Sequence, residues 1–79
     1  VLNKRNLTII FIQDAVKLAV FDEKLKKNLE LLETKGNTII IESEALQEYE
    51  IYHRCKIGKI LQLLEIQKIL MSDLKVISL

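Results

Sequence analysis

The sequence has no proline, no tryptophan, only two glycines and only one cysteine among its 79 residues. The lone Cys55 excludes an internal disulfide, and no His/Cys pairs stand at zinc-ligand spacing. Gly36 and Gly58 are too few and too far apart for a phosphate-cradling loop, which excludes a glycine-rich nucleotide-binding fingerprint. No metal and no cofactor are expected. No apolar run approaches the roughly 18 residues that a membrane span needs. Asn3, Lys4, Arg5 and Asn6 interrupt any signal-peptide reading of the start. No Ser–His–Asp order can be defended, and no internal repeat is visible. Charge of one sign is also lacking: 12 basic and 11 acidic residues leave a net +1. That balance makes nucleic acid a disfavoured partner. The basic clusters Lys4-Arg5 and His53-Arg54-Cys55-Lys56 are short, and neither has the aromatic interleaving of a single-strand binding surface.

What is present is apolar residues, 49% of the chain, mostly Ile, Leu and Val, which suits a compact core better than disorder. A chain of this length makes one domain, residues 1–79, and buries only roughly 60% of its unfolded surface. Small domains offset that deficit with disulfides, metals or partner subunits. The first two are absent here, so association with copies of itself or with related subunits is expected. The remaining expectations are a soluble, cytoplasmic chain, in keeping with one free thiol, and not an independent enzyme.

Leu7 to Ile12 is a β-branched and aromatic run with no polar alternation, the mark of a strand buried on both faces. It ends at Gln13-Asp14, where the period changes. Leu18, Phe21, Leu25, Leu29 and Leu32 follow helical spacings and are expected to face inward. Asp14 is placed as an N-cap or first-turn carboxylate, Asp22 as a second cap that breaks the helix near Phe21, and Gly36 as a left-handed C-terminal cap. Thr38 to Ile41 repeats the strand pattern. Ser43 is expected to cap a short helix to about Tyr52, with Leu46 and Tyr49 inward. A short strand falls within Lys56–Leu61. A helix over Leu63–Met71 turns Leu63, Ile66, Leu70 and Leu64 inward; Asp73 marks a break, and Leu74 to Leu79 forms an edge strand. This alternation predicts a small three-layer α/β/α domain with a mainly parallel sheet. The rival is a helical hairpin, residues 7–35 against 43–72, which would revive a helical nucleic-acid-binding regulator.

These junctions resemble the DsrE/DsrH-like family, which includes the Tus sulfur-relay subunits. Ile10 to Val16 with Leu18-Ala19 resembles the family's strand-to-helix junction. Gly36 with Thr38 to Ile41 and Leu46 resembles its next strand and short helix. Ile60 to Ile69, then Ser72 to Ile77, resembles its closing helix and strand. The resemblance implies a small doubly wound fold. Family members usually begin with another strand and helix where this sequence has Val1 to Asn6, which implies truncation, a misassigned start or a pared-down variant. In the sulfur-carrying branch a cysteine follows the strand matching Thr38–Ile41. Glu42 and Ser43 stand there instead, and the later Arg-Gly pair is replaced by Glu48 to Ile51. The resemblance therefore implies an accessory or interaction subunit of a sulfur-relay complex rather than a carrier.

Two candidate sites follow. Gln13, Asp14, Glu42 and Ser43 fall at the carboxyl ends of adjacent strands, where open α/β sheets bind ligands. They form a polar crevice suited to an anion or a cysteine-linked partner, although two acids there repel an anion and plain capping accounts for Asp14 and Ser43. Cys55 is the alternative persulfide carrier: His53, Arg54 and Lys56 would lower its thiol pKa. His53 would share its face in an extended segment and act as a general base. Against these stand a buried or unreactive thiol and a solvated histidine. Tyr49 and Tyr52 with Ile51 suit either core or a subunit interface.

Overall fold

The computed structural model describes residues 7–72 and 76–78; Val1 to Asn6, Asp73 to Lys75 and Leu79, with the Lys4-Arg5 cluster and the Asp73 break, lie outside them. Four strands, β1 (Thr8–Phe11), β2 (Thr38–Glu42), β3 (Lys59–Leu61) and β4 (Val76–Ser78), form one sheet. Their spatial order is β3-β2-β1-β4, and all three pairings are parallel. Four α-helices intervene: α1 (Val16–Phe21), α2 (Glu23–Thr34), α3 (Ser43–Glu48) and α4 (Leu63–Ser72). Short 3-10 turns span Gln13–Ala15 and Tyr52–Arg54. The helical hairpin is thus excluded, and the expected α/β domain with its edge strand at the end is found.

The unbroken apolar runs follow from burial on both sides of the sheet. Ile9 pairs with Ile39 and Phe11 with Ile41. These side chains pack with Val16, Ala19, Val20, Leu29 and Leu46 in the core under α1, α2 and α3. The alternate residues Ile10 and Ile40 turn the other way and meet Ile66 of α4. Three helices therefore cover one face and one helix the other.

Two helical phases differ from the expected ones. Leu18 and Phe21 are exposed, and α1 buries Val16, Ala19 and Val20 instead. The reason is the break at Asp22, whose side chain accepts a hydrogen bond from the Leu25 amide at 3.0 Å and starts a new helix. The four-residue spacing between Phe21 and Leu25 therefore spans two helices. In α4, Ile66 is buried and Ile69 half-buried, while Leu63, Leu64 and Leu70 are exposed.

The end of α2 is a Schellman cap. The Asn37 amide donates to Leu32 O at 3.1 Å and the Gly36 amide to Glu33 O at 3.0 Å, with Gly36 at φ +98°. Asn37 then starts the sheet: its Oδ1 accepts from the Leu7 amide at 2.9 Å, and its Nδ2 donates to Leu32 O at 3.0 Å.

Gly58 precedes β3 at φ +75°, and a Cβ there would lie 2.9 Å from the carbonyl oxygen of Ile39. Steric conflict with backbone adds to the conformational cost. Gly58→Ala is expected to lower stability by about 1–3 kcal/mol, read as a lower urea midpoint at unchanged slope.

Candidate functional site

The carboxyl ends of β1 and β2 open into a crevice of about 280 Å³, lined by Gln13, Asp14, Glu42, Ala45, Glu48 and Tyr49. Its floor is set by one hydrogen bond. Gln13 turns the chain out of β1 with φ +51°. Its amide donates at 2.9 Å to Oε1 of Glu42, the last residue of β2. Glu42 is only 6% exposed. A buried carboxylate needs such a donor, because burial without one is costly.

The rim is a second polar group. The Tyr49 hydroxyl donates to the Asp14 carboxylate. Lys17 Nζ sits 4.1 Å from the Tyr49 ring centroid, a cation–π contact. Asp14 therefore serves as a first-turn carboxylate of the 3-10 segment and as a partner for Tyr49, with no capping bond of its own. Ser43 is the first residue of α3, whose N-cap is Glu42, and the helix stops at Glu48. The expected Ser43 cap and the helical extension to Tyr52 are thus corrected. Ser43 does not line the crevice, whereas Tyr49 and Glu48 do.

Three carboxylates line this space, so it favours a cationic or neutral group over the anion expected from strand-end position. Another acid nearby is also structurally engaged: Glu44 Oε1 accepts from the Leu63 amide at 2.9 Å, where α4 begins. Among the described residues no group of His, Cys, Asp and Glu is arranged to hold a metal ion.

Cys55 lies elsewhere, in the connection entering the amino end of β3. It packs against the core, and its thiol donates to Ile57 O at 3.5 Å. Burial pushes the thiol pKa up, only partly opposed by the Ile57 hydrogen bond. The expected lowering by His53, Arg54 and Lys56 is therefore not obtained, because burial dominates. His53 lies in the 3-10 turn rather than an extended segment, its ring edge-on to Tyr52 with centroids 6.1 Å apart. Ile51 is buried, Tyr49 is half-buried and Tyr52 is exposed, so the Tyr49–Ile51–Tyr52 patch is divided.

The chain matches no family model, no curated protein and no solved structure. Among the described residues no helix is long and apolar enough to cross a membrane.

Two measurements test the site. Glu42→Ala leaves the Gln13 amide unpaired and is expected to cost about 1–3 kcal/mol in urea unfolding. Glu42→Gln keeps an acceptor and is expected to cost less. For Cys55, iodoacetamide alkylation is expected to be slow at neutral pH and to rise at a higher pH than for the unfolded chain. The folded thiol keeps its proton to higher pH than the unfolded one. The unfolded state therefore binds fewer protons as pH rises through the thiol range, and the Cys55 contribution to stability is lost there. Cys55→Ser should remove that part of the pH dependence.

Proposed function

We propose that the chain is a non-catalytic interaction subunit of the DsrE/DsrH-like kind, one that associates with copies of itself or with a related chain. The observation that carries this reading is the uncovered apolar side of α4. Leu64 is 66% and Met71 88% exposed, and Leu63 and Leu70 are also on the surface. Among the described residues a single helix covers that face of the sheet, and exposed clusters of this kind mark contact surfaces. The carrier role is the weaker reading. No thiol lines the crevice, two of its carboxylates, Glu42 and Asp14, are engaged in hydrogen bonds within the fold, and the pKa of Cys55 is raised. A cytoplasmic setting accords with the free thiol.

Light scattering on the size-exclusion peak is expected to give a dimer or larger species. The surface double substitution Leu64→Glu with Met71→Glu is expected to shift it to monomer with unchanged circular dichroism. A wild-type chain that stays monomeric at high concentration would count against the reading. Intact mass after incubation with a persulfide donor is expected to show no sulfur added to Cys55; addition there would favour the carrier.

A further inference from the structure

A second groove, separate from the acidic crevice, has the opposite chemistry. It encloses about 370 Å³ between the end of α1, the start of α2 and the 3-10 turn, and is lined by Val20, Phe21, Glu23, Lys26, His53, Arg54 and Lys56. Three of these side chains are permanent cations and one is a carboxylate. That carboxylate, Glu23, is taken up by Lys26 at 3.2 Å. Arg54 and Lys56 have no ion-pair partner among the described residues, so their charge faces the groove uncompensated. Phe21 and Arg54 are far apart in the sequence, but the fold brings them together. Phe21 is 50% exposed and its ring lies under the Arg54 guanidinium, 5.9 Å from the centroid. Tyr52 is also exposed, with the His53 ring at its edge.

We infer that this groove binds single-stranded nucleic acid, seating about one nucleotide. A strand supplies what each part of the groove lacks. A base has a flat face for Phe21, and stacking of this kind is tolerant of sequence. The backbone phosphates supply the anions that Arg54 and Lys56 lack, with Arg suited to a bidentate hold. An acidic peptide would satisfy the cations but would leave the exposed Phe21 ring without a role. The balanced net charge does not oppose this, because binding depends on the local field rather than on the total. The contact is small, so affinity is expected to be weak and steeply salt-dependent.

The test uses the full chain and a fluorescein-labelled oligothymidine about ten nucleotides long, within the range one small domain covers. Anisotropy is expected to show saturable binding at low salt. Its log–log slope against salt should be about −1.4, as two neutralised phosphates on a single strand require. Arg54→Ala, Lys56→Glu and Phe21→Ala should each weaken binding by roughly tenfold, the Phe21 change without altering the salt slope. Leu31→Ala, an exposed change away from the groove, should leave affinity as it was. Three results would overturn the inference: no binding at low salt, unchanged affinity in a folded Phe21→Ala chain, or equal affinity for a labelled oligoglutamate of the same length. The last would assign the groove to an acidic protein segment instead.

Discussion

Everything in this fold depends on the parallel pairing of β1 with β2, two short strands whose carboxyl halves are buried on both faces. Parallel neighbours cannot be joined by a tight turn, so each connection must cross the sheet and supplies a helix as it does so. Those helices then bury the Ile-rich runs that made the strands. The strand order runs outward from β1 through β2 to β3 and then returns to β4 on the other side of β1, which sends α4 to the opposite face from α1, α2 and α3. From one pairing follow both cores, the three layers and the site at the strand ends.

The acids at that carboxyl edge are mostly structural. Glu42 holds the Gln13 amide, Asp14 receives Tyr49, and Glu44 caps the first turn of α4. Each ties together segments distant in sequence, because chain exits from parallel strands leave amides that the ladder does not satisfy. A crevice built this way is acidic, and two of its three carboxylates have partners before any ligand arrives. That is why its position resembles a ligand site while its chemistry resembles a joint between elements.

The strands, the breaks at Gln13-Asp14 and Asp22, and the turn at Gly36 were legible because each rests on local chemistry: β-branched runs, a capping carboxylate, a left-handed residue. Gln13, Asp14 and Glu42 were legible as neighbours because strand ends in a parallel sheet lie together. The inward faces of α1 and α4 were not. Phe21 and Leu25 keep a helical spacing across a helix boundary, and periodicity alone does not register the change of axis. Tyr49 was out of reach for a different reason. It meets Asp14 over 35 residues of chain, past a helix end that comes with Glu50 at φ +58°, and no local pattern encodes that encounter. The Arg54–Phe21 contact is of the same kind, made wholly by tertiary packing.

The hydrogen bond between Gln13 and Glu42 also limits how this scaffold can acquire new chemistry. A cysteine placed at 42 would remove the carboxylate that accepts from the Gln13 amide, loosening the junction that shapes the crevice. A cysteine at 43 would leave that bond in place and stand at the first turn of α3, half-buried beside the same strand end. The two adjacent positions are thus unequal: one is a keystone of the turn, while the other is open to replacement. Any route by which such a chain gains or loses a thiol at this edge passes more easily through residue 43.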